Sequence, residues 1–218
     1  NILSPAEDRI APACGYFPKC GGCTHMNARY ETELRYKKNC VAAAFKNNYP
    51  DAEVIPEDPV PSPALQQYRN KIICPLSQDL KFGFFARHSH RIVPVENCCL
   101  QDEDFEPIIR KTEEFIRTYS LTAYDEKTGR GLVRNLYLRK AHTTGEIMVC
   151  LVINGKSIPH KEQFTTMISA CKGVTSIYLN INREMTNVVL GKTCVPLWGK
   201  ESITDLLCGL KFRIAPLS

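Results

Sequence analysis

"GLVRNLYLRK" (131–140) followed by "EIMVCLVI" (146–153) is the stretch that decides the fold. In the first segment Leu132, Leu136 and Leu138 fall on one side of an extended chain, because strand side chains alternate between faces. The second is a continuous apolar run, as a central strand requires. The joint Thr143-Thr144-Gly145 is short and contains glycine, so the two segments predict a hairpin.

The same reading extends in both directions. Toward the C-terminus, "IPHKEQFTTMISACK" (158–172) predicts a helix, and "VTSIYLNI" (174–181), "TNVVLG" (186–191) and "TCVPLWG" (193–199) predict strands, with Trp198 in the core. Toward the N-terminus, 68–77, 80–87 and 91–98 predict three strands joined at "QD" and "HSH" as an antiparallel meander. Residues 102–119 predict a helix. Asp102, Glu103 and Asp104 sit in its first turn, where the dipole favours acid, and Phe105, Ile108, Ile109, Phe115, Ile116 and Tyr119 form its buried stripe. Residues 27–48 predict another helix, capped by Asn27, with Tyr30, Leu34, Val41 and Phe45 on one face. Four prolines between 56 and 63 exclude a helix there and predict an extended surface connector. Helices and hairpins in this order give an α+β fold: an antiparallel sheet with flanking helices.

The chain has 218 residues, 44% hydrophobic and 23% charged, which suits an ordinary globular domain. Its apolar runs fall short of the roughly 20 residues of a membrane helix, and "NILSPAEDRIAPAC" has no signal-peptide pattern. The missing initiator methionine reads as a processed or shortened start. A net charge of +5 hints at an anionic partner. Eleven cysteines, an odd number, do not resemble a secreted disulfide framework, so the chain reads as cytoplasmic. Cys40, Cys74, Cys150, Cys171, Cys194 and Cys208 are scattered and read as small buried hydrophobes.

Three more cysteines crowd into "CGYFPKCGGC" (14–23), preceding the helix at 27–48. A disulfide loop is one reading. A zinc site is a second, although zinc favours paired C-x2-C knuckles and only Cys20 and Cys23 form one. An iron–sulfur cluster is a third; it takes four thiolates, commonly three from a compact run and one from afar. Gly15, Gly21 and Gly22 would let the backbone close around such a cluster. The fourth thiol would come from "ENCCL", as Cys98 or Cys99.

The run "CGYFPKCGGCTHMNARYETELRYKK" resembles the iron–sulfur signature of RNA (uracil-5-)-methyltransferases. The similarity continues in register through "SPALQQYRNK", "GFFARHSHRIVPVENC", "GRGLVRNLYLRK", "VTSIYLNINREMTNVVLGK" and "LCGLKFRIAPLS". The resemblance implies a 4Fe-4S cluster on Cys14, Cys20, Cys23 and Cys98. Where many members carry Pro after the fourth ligand, this chain has Cys99. It also implies that residues 1–208 form a central iron–sulfur and RNA-binding domain and that 209–218 lead into an S-adenosyl-L-methionine-dependent methyltransferase domain. The donor site, the nucleophilic cysteine and its base have no counterpart here, so no catalytic residue is assigned and the segment alone should be inactive. The reaction implied is 5-methyluridine formation in RNA, with 23S rRNA placed ahead of tRNA. Rivals are a non-enzymatic iron–sulfur or zinc RNA-binding module and a small electron carrier.

Two basic stretches fit the RNA reading. Residues 68–91 hold Arg69, Lys71, Lys81, Arg87 and Arg91 against one acid, Asp79; residues 127–140 hold Lys127, Arg130, Arg134, Arg139 and Lys140 against none. Arginine suits forked phosphate contacts, and interleaved aromatics can stack on unpaired bases. The expected RNA contacts are Arg69, Lys71, Arg87, His88, Arg91, Arg130, Arg134 and Arg139. The expected role of the cluster is structural: it would pin loop 14–23 to the strand ending at Cys98.

Overall fold

The computed structural model describes residues 3–51 and 53–218. A five-stranded sheet forms the centre, in the order β1 (Lys71–Pro75), β4 (Val133–Lys140), β5 (Ile147–Ile153), β6 (Val174–Ile181), β7 (Thr193–Gly199). The predicted hairpin is there: β4 and β5 pair antiparallel, and all seven residues of β5 are buried. One expectation fails at β5 and β6, which are parallel, so the sheet is mixed. The reason lies between them. A helix, α3 (Lys161–Ser169), returns the chain to the starting edge, and a strand after such a crossover runs parallel to the one before it.

The helices α2 (Phe105–Thr118) and α3 cover one face. Phe115 and Phe164 meet there with ring centroids 5.0 Å apart, over Leu136, Leu138, Val149 and Leu151. The stripe predicted for α2 is the one buried, with Tyr119 packed at its margin. On the opposite face a smaller core joins Tyr137, Met148, Cys150 and Tyr178 to Ile203 and Ile214. These last two come from the hairpin β8 (Ile203–Leu207) and β9 (Leu210–Ile214), closed by Cys208 and Gly209, both at positive φ as a two-residue turn requires. Residues 208 and 209 thus form the turn of this hairpin, and Ile214 packs at the smaller core.

Other expectations are corrected as well. The meander is split: β1 joins the large sheet, while β2 (Gly83–Phe85) and β3 (Ile92–Pro94) pair separately, joined to β1's end by a single bridge between Leu76 and Phe82. "TNVVLG" is irregular, and Trp198 is 42% exposed on the edge strand β7. The helix α1 (Tyr30–Asn48) forms, but Arg29 rather than Asn27 precedes it, and none of its residues is buried. Of the scattered cysteines Cys74, Cys150 and Cys171 are buried, Cys194 is half-buried, and Cys40 and Cys208 are exposed. No helix among the described residues is long and apolar enough to cross a membrane.

Candidate functional site

The cysteine loop is held against β2. Cys20 N–H donates to Tyr16 O, and Gly21 N–H donates to Phe85 O, each at 2.9 Å. A Cβ at Gly21 would stand 2.8 Å from Phe85 O and 3.0 Å from Arg87 N, so only glycine permits this approach. From the other side, Arg69 N–H donates to Leu100 O and Gln67 N–H to Cys99 O, both at 2.9 Å, which fixes the Cys98–Cys99 corner. The Tyr16 hydroxyl accepts the Glu96 N–H at 3.2 Å and ties the corner back to the loop.

Cys14, Cys20, Cys23, Cys98 and Cys99 all line one small cavity of about 20 Å³, with Arg69 at its edge. No carboxylate or imidazole lines it. Among the described residues, no group of three or more His, Cys, Asp or Glu side chains is placed to hold a metal ion. The thiols therefore share a cavity without forming a ready-made mononuclear site.

Burial pushes the Cys20 thiol up, and the Gly22 amide, donating to Cys20 Sγ at 3.4 Å, pulls it back. Burial likewise pushes Cys23 up, to about 11; Cys98 opposite adds to the rise and the Arg69 guanidinium opposes it. Cys99 is raised by burial, then by Cys14 and Cys98. Arg69 is thus turned inward: its Nη2 donates to Gly22 O at 3.1 Å, so it braces the loop instead of projecting to solvent.

The remaining basic residues separate into groups. Arg87, His88 and Arg91 are exposed around the β2–β3 turn. His90 Nδ1 lies 3.0 Å from Glu126 Oε2, which sets this turn against the 125–130 turn carrying Lys127 and the exposed Arg130. Lys71 and Arg139 face each other across β1 and β4, near the end of β4 opposite to the one that follows Arg130. Arg134 is buried. Its guanidinium donates to the carbonyls of Asn182, Glu184 and Thr186 and stacks 4.2 Å from the Tyr124 ring centre, so it is committed within the fold. Lys81 is drawn to Glu113 and Glu96, and Lys140 to Asp102 and Asp104. These carboxylates are distant in sequence, which is why counting acids within each stretch overstated the free charge.

No family model matches the sequence. Curated relatives do. The chain is 37% identical over 223 residues to an uncharacterized RNA methyltransferase of Clostridium tetani, covering all of this chain and 48% of that protein. It is 34% identical over 222 residues to an uncharacterized RNA methyltransferase of Listeria monocytogenes, covering all of this chain and 49% of that protein. The crystal structure of the Pyrococcus abyssi tRNA (uracil-54, C5)-methyltransferase in complex with S-adenosyl-L-homocysteine superposes with a TM-score of 0.74 at 26% identity, over 99% of this chain and 48% of that one.

The chain resembles the RNA (uracil-5-)-methyltransferases.

It spans about half the length of the curated relatives it matches. Sequence reasoning reached the cysteine loop and the hairpin turn. It missed the inward course of Arg69 and the burial of Arg134, neither of which leaves a mark in local sequence. In this chain Cys99 is as much a wall of the cavity as Cys98.

Proposed function

We propose that the chain is the iron–sulfur and RNA-binding part of a cytoplasmic, S-adenosyl-L-methionine-dependent methyltransferase that forms 5-methyluridine in 23S rRNA. The observation that carries this is the convergence of cysteines from two distant segments on one cavity free of carboxylate and imidazole, beside an exposed basic turn. An all-thiolate donor set suits a 4Fe-4S cluster, and amide-to-sulfur bonds such as that from Gly22 stabilise thiolates in such sites. Cys14, Cys20, Cys23 and Cys98 would hold it. When bound, the cluster supplies a cross-link and no electron transfer, since uridine methylation moves none.

The chain's own contribution is binding and positioning. Arg87, His88, Arg91 and Arg130 form one basic surface, and Lys71 and Arg139 a second, suited to backbone phosphates. The C5 methylation chemistry requires addition of a thiolate at C6 and removal of the C5 proton by a base. No residue of this chain is assigned to either step; donor binding and nucleophile are assigned to the remainder of the relatives' length. The 218-residue chain alone is expected to transfer no methyl group.

A second reading, tRNA as substrate, is favoured by the activity of the Pyrococcus abyssi tRNA (uracil-54, C5)-methyltransferase. The whole protein, given labelled methyl donor and either RNA, decides between them: label in 23S rRNA supports the first reading and label in tRNA alone supports the second. Label in neither rejects the enzyme reading. For the chain itself, Arg91→Ala should weaken RNA binding and lower the slope of log affinity against log salt by about 1. An unchanged slope would remove Arg91 from the interface.

A further inference from the structure

The strands β8 and β9 pair with each other, and no backbone ladder joins them to the five-stranded sheet. Their apolar attachment is slight. Ile203 is fully buried and Ile214 packs beside it, whereas Leu206, Leu207, Leu210 and Phe212 are exposed. The hairpin is held down instead by polar bonds to the turn between β4 and β5. Asp205 accepts His142 N–H at Oδ2 and Thr143 N–H at Oδ1, each at 2.8 Å. The Thr143 and Thr144 hydroxyls donate to Leu206 O and Thr204 O at 3.0 and 2.6 Å. Glu146 Oε2 accepts Thr204 N–H at 2.9 Å, and its other oxygen pairs with Lys200. The base of the hairpin is pinned separately. Lys200 N–H donates to Thr175 O at 2.8 Å, and the Ser176 and Tyr178 hydroxyls donate to Lys200 O and Glu201 O at 2.7 and 2.8 Å. A pinned base, a self-paired hairpin and a polar latch at its side are the parts of a unit that opens locally.

We propose that β8–β9 is a flap, latched to the β4–β5 turn by Asp205 and Glu146, that opens as a unit and uncovers Tyr137, Cys150 and Tyr178 while the sheet stays folded. The latch is built from carboxylates, so it is also sensitive to acid. Burial raises the Asp205 carboxyl, but the amides of Thr143, His142 and Leu206 outweigh it and hold the group below its ordinary range. Burial raises Glu146 too, and Lys200 with the Thr204 amide outweighs it in the same way. The other charged or titratable groups around the latch are His142 on the turn, Glu201 next to Lys200, and Lys211 and Arg213 on β9, opposite Leu206 and Thr204. Depressed carboxyls favour the closed flap above their unfolded values, about 3.9 for Asp and 4.3 for Glu, and that contribution is lost as pH falls through the folded values. The flap stands apart from the cysteine loop and depends on neither the cluster nor the RNA reading.

The test is native-state thiol labelling of the 218-residue chain with a pyridyl disulfide, which reacts in acid as well as at neutral pH, followed by tryptic peptide mapping. The peptide of residues 141–156 carries Cys150 alone and reports the flap. The peptide of residues 72–81 carries Cys74 alone, which is buried in the larger core on the helical face and reports global unfolding. At neutral pH Asp205→Ala should speed labelling of Cys150 by about tenfold, the effect of losing charge-assisted hydrogen bonds, and leave Cys74 at the wild-type rate. If Cys150 and Cys74 speed up together, the hairpin opens only with the whole fold and the proposal is overturned. If neither changes, Asp205 is no latch, and the proposal is overturned as well. Should circular dichroism show that Asp205→Ala does not fold, the wild-type chain decides by itself. Its ratio of Cys150 to Cys74 labelling should climb as pH falls below about 4; a ratio that stays flat overturns the proposal.

Discussion

β5 and α1 show two ways of making a regular element. All seven residues of β5 are buried between two apolar layers. α1 is 19 residues long and buries none, leaving Tyr36, Val41 and Phe45 exposed. The sheet is held by removal of apolar surface from water, a term that grows with every methylene covered. The N-terminal part is held by a few backbone bonds, by ion pairs such as Arg35 with Asp8, and by a small core in which Cys20 and Cys98 pack against Ala86, Val93 and Val95. Exposed ion pairs contribute little, so this region gains most from a cross-link. The difference teaches where burial orders a segment and where backbone bonds and ion pairs must do so.

The largest effect should come from breaking the sheet's own layer. Phe164→Ala removes a fully buried ring packed on Phe115 and should cost about 3–5 kcal/mol of global stability, read as a lowered urea midpoint at unchanged slope. A loss under about 1 kcal/mol would mean that the helical layer does not govern the sheet.

A smaller effect is expected at the end of β4. Lys140 Nζ lies 2.8 Å from Asp102 and 2.7 Å from Asp104, all three side chains largely covered. Hydrogen bonding from Lys140 holds the Asp104 carboxyl below its usual range. A depressed carboxyl stabilises the fold above its unfolded value, near 3.9, and loses that contribution as pH falls through the folded value. Lys140→Met should therefore cost about 2 kcal/mol at neutral pH, and the gap from wild type should close below about pH 4. A gap independent of pH would show that packing, not charge, is what Lys140 supplies.

The most local effect is at the sulfur site. In iron-reconstituted protein, Cys98→Ala should speed limited proteolysis within 14–23 and near 95–100 by about tenfold while leaving the urea midpoint of the sheet in place. Equal protease resistance in variant and wild type would remove the cross-link from the account of this region.

The elements built on periodicity were legible beforehand. The stripe of α2 and the apolar run of β5 are local patterns, and burial followed them. The parallel pairing of β5 with β6 was not legible, because it depends on which sheet edge α3 returns the chain to. The proposed RNA surface was legible only in part. Arg87, Arg91 and Arg130 are exposed, as charge counting expects, but Arg69 and Arg134 were captured by carbonyls from residues 47 and roughly 50 positions away. A guanidinium's partners are chosen by the fold, and counting acids in its own segment cannot find them.

By itself the sequence determined that the chain has an α+β core and a cysteine-rich N-terminal loop, because apolar spacing and local thiol density are properties of neighbours along the chain. The tertiary structure decided that Cys14, Cys20 and Cys23 share a cavity with Cys98 and Cys99, and which arginines face solvent. Those facts depend on separations of dozens of residues, closed by burial and backbone hydrogen bonds that no local pattern encodes.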